Sequence, residues 1–218
     1  MATKQGQKLK NKKILITAGP TWVAIDSVRV ISNIATGETG ILLAQALSKL
    51  GARVTLLLGP GQSCCIGNKI KLIRYKFFSE LKEAITKELK ARHYDIFIHS
   101  AAVSDYAPRK IYSQKVKSGI RNWQLALKPT EKIINLIKRT DRSLLVVGFK
   151  FQPQAKKGLL LQKAKELICQ ANLDLVVANT VSHGKYQAYI IDSLNRVRST
   201  SSNKKNLVLN LIRVLLEE

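Results

Sequence analysis

Two polar side chains set four residues apart, Arg29 and Asn33, stand in the stretch AGPTWVAIDSVRVISNIATGETG from Ala18 to Gly40. A guanidinium clamps an anion through parallel N–H donors, and an amide can donate to an oxygen that turns negative during a reaction. Gly19, Gly37 and Gly40 punctuate the same stretch, and Gly37-Glu38-Thr39-Gly40 opens a helical pattern whose free N–H groups attract phosphate. These residues also suit a variant dinucleotide turn, or a short helix capped by the asparagine.

A second stretch, HSAAVSDYAP (His99–Pro108), follows an apolar run that ends at Ser100. Ala101 and Ala102 are small enough for close approach of a base or sugar. Asp105 can orient a ribose hydroxyl or Mg²⁺, or simply cap the turn before Pro108. Next comes Arg109–Asn122, polar and carrying Lys110, Lys115, Lys117 and Arg121. Beside a phosphate site such a loop acts as a basic lid; otherwise its lysines are solvated surface. A structural zinc site finds little support. His93, His99 and His183 form no H-x-x-x-H, and no zinc-type cluster, Walker A, G-x-S-x-G or G-x-G-x-x-G occurs. Cys64-Cys65 with the distant Cys169 makes no disulfide framework and receives no role.

These segments need a scaffold, and the apolar pattern supplies one. Buried-strand runs fall at Ile14–Thr17, Arg53–Leu58, Lys71–Phe77, Asp95–Ser100, Leu144–Phe149 and Leu173–Ala178, with a short extended Gln124–Leu127. Helical spacing covers Glu38–Leu50, a segment capped by Ser79 that runs to about Arg92, Thr130–Arg139, Lys156–Gln170, and a closing helix capped by Asn203 through Leu216. Ala188–Asp192 and Arg196–Arg198 read as a terminal hairpin. The alternation predicts a single α/β, doubly wound, Rossmann-like three-layer domain over residues 13–218, with a mainly parallel sheet and a small C-terminal hairpin. Ligands of such sheets bind at the carboxyl ends of the strands, where both polar stretches fall. Residues 1–12, with Lys4, Lys8, Lys10 and Lys12, read as a flexible basic arm.

The 218 residues are 45% hydrophobic, enough for a core, and carry a formal charge of +23. That charge points to polyanionic partners such as nucleic acid, nucleotides or phosphorylated metabolites. No apolar run of about 18 residues is present, so the expectation is a cytoplasmic protein with no membrane partner.

Taken together, ILITAGPT (Ile14–Thr21), IDSVRVISNIATGETG (Ile25–Gly40), AAVSDYAP (Ala101–Pro108), QKVKS (Gln114–Ser118), VVGFKF (Val146–Phe151) and NLDLVVANTVS (Asn172–Ser182) resemble the phosphopantothenate–cysteine ligases, also called phosphopantothenoylcysteine synthetases. The resemblance implies a modified dinucleotide-binding domain, usually dimeric. It implies a ligase that joins 4′-phosphopantothenate to L-cysteine in coenzyme A biosynthesis, through an acyl nucleotidylate made from CTP or ATP with Mg²⁺. By the same resemblance Asn33 and Lys115 are catalytic, and Arg29 faces phosphopantothenate near Gly37 and Gly40. Gly19, Ser100, Ala101, Ala102, Asp105, Thr130, Glu131, Lys132, Ile133 and Phe149 then serve the nucleotide, with the metal near Asp105. GFKF lacks the acidic residue that follows GF in many bifunctional members, so the chain looks like the stand-alone form, with decarboxylation residing elsewhere. Leu167 and Ala171 occupy places where many members have lysines, and Lys163 or Lys165 is the candidate substitute. The rival classes are a basic nucleic-acid-binding α/β protein and, from the fold alone, a nicotinamide-dependent oxidoreductase. Against the first stand aromatics at 6% and dispersed basic residues; against the second, the missing glycine fingerprint.

Overall fold

A run of apolar residues long enough to be covered on both faces builds the centre of this chain. In the computed structural model, which describes residues 8–61, 66–141 and 143–218, that run is β1 (Lys13–Ala18), buried from Ile14 to Ala18. It lies between β4 (Arg53–Leu58) and β6 (Ile96–His99), parallel to both, with Leu15 opposite Thr55 and Phe97. β5 (Lys71–Arg74) closes one side. On the other follow β9 (Leu145–Phe151), β10 (Leu175–Ser182), β11 (Lys185–Asp192) and β12 (Val197–Ser201). The order across the eight-stranded sheet is β12-β11-β10-β9-β6-β1-β4-β5, parallel except where β11 pairs antiparallel with β10 and β12.

Successive side chains of a strand face opposite layers, and β1 divides accordingly. Ile14, Ile16 and Ala18 pack with Leu43 and Leu47 of α1 (Glu38–Lys49) and with Leu207 and Leu211 of α5 (Lys204–Glu217). Leu15 packs with Leu81 and Ile85 of α2 (Phe78–Ala91), Ile137 of α3 (Ile133–Thr140), and Leu160 and Ala164 of α4 (Lys157–Ala171). The chain leaves β1 toward one layer and β6 toward the other, so the strand order reverses between them. A crevice at the carboxyl ends is the geometric result. Among the described residues no helix is long and apolar enough to cross a membrane.

Several expectations need correction. Residues 8–12 are no flexible arm: Leu9 is 2% exposed in the α1 layer, Asn11 N donates to Gly51 O, and Lys8 Nζ donates to Leu216 O. The stretch after β1 holds no short helix capped by Asn33 but the antiparallel hairpin β2 (Trp22–Ala24) and β3 (Val30–Ser32). A second antiparallel pair joins β7 (Tyr106–Pro108) to β8 (Leu127–Pro129), later than the expected Gln124–Leu127. Three-residue strands are too short to show alternation. Ser79 is not the cap of α2. The cap is Phe77, and Glu80 accepts from the N–H groups of Lys76 and Phe77. Asn203 does cap α5, accepting from Asn206 N. Cys64-Cys65 lies outside the described residues.

His99 ends β6 fully inside, its Nδ1 2.8 Å from Thr17 Oγ1. Burial pushes its pKa down to about 4 from the ordinary 6.5. The unfolded chain therefore binds this proton first as pH falls, and the neutral-state stability drains away between pH 6.5 and about 4. Such a shift amounts to about 3 kcal/mol. Chemical denaturation of wild type and His99→Gln across that range should show the wild-type slope flattened in the variant. Parallel pH profiles would contradict this account of His99.

Candidate active site

Where the strand order reverses, the chains leaving β1 and β6 head for opposite layers and could part at once. Here they stay paired. Ser100 N donates to Thr17 O (3.0 Å), Ala102 N to Gly19 O (2.9 Å) and Thr21 N to Ala102 O (3.3 Å). Ser104 is drawn in as well: its N–H donates to Thr21 Oγ1 at 2.9 Å, and its hydroxyl lies 3.1 Å from Thr21 O. The buried Tyr75 hydroxyl, held neutral because burial pushes its pKa up, donates toward Ala18 O and Gly19 O. Gly19, Ser100, Ala101 and Ala102 thus form one main-chain floor. The Ser100 hydroxyl is spent on Thr17 O at 2.7 Å, so its part here is structural.

Helix α1 begins directly above that floor. Gly37 is its N-cap at φ 77°, a left-handed conformation that side-chain-bearing residues rarely adopt. A Cβ on Gly40 would stand 2.4 Å from Ala18 Cβ and 2.7 Å from Ser100 Oγ, so only glycine lets the helix start seat this closely. The free N–H groups of the first turn are thereby brought to the crevice.

The hairpin β2–β3 is fastened over the same place. Asn33 donates both amide hydrogens to main chain, to Ala102 O at 3.1 Å and Val103 O at 3.0 Å. The N–H expected to meet a developing oxyanion is therefore engaged, and Oδ1 is the atom Asn33 can offer. Arg29 donates to Val116 O at 2.8 Å, lies 3.5 Å from Asp26, and sits 5.1 Å from the Trp123 ring centroid. Lys115, next to Val116, is exposed.

Asp26 is the residue that sequence reasoning passed over. Its carboxylate is fully buried and accepts from Val28 N, Arg29 N and Val116 N. Burial opposes its ionisation, but those three N–H donors and the Arg29 charge outweigh it and hold the pKa below the usual carboxylate range. The link is thus intact at neutral pH and is lost as pH falls through that lowered value. With Tyr112 N donating to Ile25 O, it binds the Lys115 loop to the hairpin even without a ligand. The signal available in the sequence was position alone: an aspartate three residues before the arginine.

The nucleotide-side candidates divide. Thr130 Oγ1 donates to Ser104 O at 2.6 Å and Thr130 N to Asp105 O at 2.9 Å, which fixes the start of α3 to the β6 loop. Lys132 pairs with Asp105, and Glu131 with Lys82. The Ile133 side chain is 2% exposed and belongs to the core, so only its main chain can face a ligand. Phe149 is half-buried on the α1 side, in register with Val177. Among the described residues no group of three or more His, Cys, Asp or Glu could hold a metal. Asp105 offers a single exposed carboxylate, which fits Mg²⁺ carried mainly by phosphates and does not fit a protein cage. Lys163 pairs with Glu166 on α4, while Leu167 and Ala171 of the same helix pack on the core.

Sheet order, crevice and clasped hairpin define a Rossmann-like α/β domain. The chain belongs to the family described as the DNA/pantothenate metabolism flavoprotein C-terminal domain, which matches residues 9–215. It is 36% identical over 176 residues to the coenzyme A biosynthesis bifunctional protein CoaBC of Thermococcus kodakarensis, covering 80% of this chain and 43% of that protein. With the CoaBC of Borreliella burgdorferi it shares 33% over 217 residues, 97% of this chain and 54% of the other. The chain thus spans about half the length of these relatives. Among solved structures, the DNA/pantothenate metabolism flavoprotein of Streptococcus pneumoniae superimposes with a TM-score of 0.84 at 25% identity, over 94% of this chain and 99% of that one.

Removing the Asp26 carboxylate should free the Lys115 loop. Trypsin is expected to cut Asp26→Ala after Lys115 and Lys117 about five to ten times faster than wild type, with Asp26→Asn between the two. Digestion at the wild-type rate in Asp26→Ala would mean that the loop is held by something other than Asp26.

Proposed function

We propose that this chain ligates 4′-phosphopantothenate to L-cysteine in coenzyme A biosynthesis, using CTP or ATP. One observation carries the reading: Arg29 and Asn33 of one hairpin, the β6 loop and the Lys115 loop, the latter two distant from it in sequence, are hydrogen-bonded around a single crevice that opens on the first turn of α1. Membership of the pantothenate-metabolism family and the names of the relatives support it.

The reaction is balanced in two steps. A carboxylate oxygen of phosphopantothenate attacks the α-phosphorus of the triphosphate, and the bond to the β-phosphate breaks to release pyrophosphate. The cysteine amine then adds to the acyl carbon, loses a proton and expels the nucleoside monophosphate. Arg29 and the N–H groups near Gly37 and Gly40 bind the anionic substrate, and Lys115 neutralises charge during activation. The small floor of Gly19, Ser100, Ala101 and Ala102 seats the nucleotide, between Phe149 and the main chain of Thr130, Glu131, Lys132 and Ile133. When bound, Mg²⁺ supplies charge neutralisation on the phosphates, and Asp105 is the carboxylate that would hold it, once released by Lys132. Asn33, its nitrogen pinned, offers Oδ1 to the N–H of the incoming amine and so orients the attack. A homodimer belongs to this reading: Val28, Ile34 and Ile111 stand exposed beside the hairpin, and a second copy would cover them.

Incubation with 4′-phosphopantothenate, cysteine, Mg²⁺ and either CTP or ATP, followed by mass spectrometry, should reveal pyrophosphate, the nucleoside monophosphate and the cysteine adduct. Absence of the adduct with both nucleotides would overturn the reading. Asn33→Asp sets a carboxylate against Ala102 O and Val103 O, which repel it, so the acceptor leaves its place. Amide formation should fall about a hundredfold while activation falls less than about tenfold, and the acyl nucleotidylate should accumulate. Equal slowing of both steps with no trapped intermediate would make Asn33 only a clasp for the hairpin.

A further inference from the structure

The opposite edge of the sheet, where the parallel strands begin, carries a cleft of about 700 Å³. It lies between the start of β1, the end of α1, the starts of β4 and β5, and the end of α2. Lys13 to Ala18 spans about 16 Å of extended chain, so this cleft and the crevice sit at opposite ends of the same strand. Six of its lining residues are lysine or arginine, His93 stands beside them, and none is acidic.

The neighbouring acids are already spoken for. Asp95 accepts from Lys12 Nζ and Lys13 N, so among the described residues it takes the main chain of Lys13 and not its ammonium. Glu88 is buried beneath the cleft. Its carboxylate takes Lys71 Nζ at 2.7 Å and the Tyr94 hydroxyl at 2.5 Å, with Arg92 Nε at 3.8 Å. The acid thereby fixes two cations at the cleft wall and neutralises only part of their charge. Lys13, Lys49, Arg53 and Lys69 make no ion pair among the described residues. A concave surface lined by one sign of charge focuses its field and concentrates counter-ions of the other sign.

We propose that this cleft is a second anion site, taking a small ligand that carries a chain of two or three linked phosphates. Its volume falls in the range of small-molecule sites, and its cations surround a volume rather than mark a track. The one Phe, Tyr or Trp ring of the lining, Tyr94, is 2% exposed with its hydroxyl held by Glu88 and Thr55, and the exposed His93 imidazole has its Nδ1 3.5 Å from Asp141, so no benzene or indole ring is free to stack a base. That separates the site from a single-strand nucleic-acid platform, where stacking accompanies the phosphate contacts. Recognition rests on the phosphate chain alone, and it weakens as salt screens the exposed lysines.

The test is titration of the ¹⁵N-labelled protein with inorganic tripolyphosphate at low salt, without Mg²⁺. Amide shifts are expected at Gly51, Ala52 and Arg53. The paired variant Arg53→Gln/Lys69→Gln, both residues exposed and outside the core, should lose at least about tenfold in affinity at those amides. Shifts confined to Gly37–Gly40, or a paired variant that titrates like wild type while melting at the wild-type temperature, would overturn the proposal. A nucleoside triphosphate should match tripolyphosphate at this cleft within about threefold, since no Phe, Tyr or Trp ring is free to stack its base. A much tighter nucleotide would show that more than phosphate is read. A DNA duplex that displaces tripolyphosphate from these amides, and binds more tightly at equal salt, would replace the small ligand with nucleic acid.

Discussion

The continued pairing of the chain beyond β1 and β6 is the constraint on which the rest of the candidate site depends. Ala102 occupies its centre: its N–H donates to Gly19 O, and its carbonyl accepts from both Thr21 N and the Asn33 amide. Because the two loops are held together, Ser100 can sit against Gly40, and α1 can begin directly over the floor. Were the loops to part, the hairpin would lose the carbonyls that hold Asn33. The start of α3, tied through Thr130 to Ser104 and Asp105, would also lose its reference point.

Asp26 extends the same logic outward. A carboxylate buried without partners would be costly; three N–H donors and one guanidinium make it stable, and each donor comes from a segment that must be positioned. The Lys115 loop is therefore anchored at Val116 while its lysine stays exposed. This places the loop's cation near Arg29 before any substrate arrives, at the expense of one of the Arg29 donors.

Much of this was legible in the residues, and the parts that were not share a physical cause. β1 and β4 announce themselves as near-continuous apolar runs, which is how strands covered on both faces read. Asn203 announces α5 because its side chain supplies the cap. By contrast, the hairpin around Arg29 and Asn33 is made of three-residue strands stabilised by Asp26 and by main-chain bonds to a loop seventy residues away in sequence. No local pattern records such contacts. Leu9 was hidden among lysines, although one buried leucine and its turn suffice to seat residues 8–12. Ile133, assigned to the nucleotide by the resemblance, has its side chain in the core, which leaves only its main chain to meet a ligand. The basic cleft at the far edge joins Lys13, Lys49, Arg53 and Lys69, which only the strand order brings together.

The central claim is that the β1 and β6 loops remain hydrogen-bonded in the ligand-free protein. Residue-resolved amide hydrogen exchange tests it most directly. The N–H groups of Thr21, Ala102 and Ser104 should exchange nearly as slowly as those of β1, because opening them requires parting the two loops. Exchange of these amides at the rate of the exposed residues around Lys115 would contradict the account: the floor would then be an open loop, and Asn33 would have nothing fixed to hold.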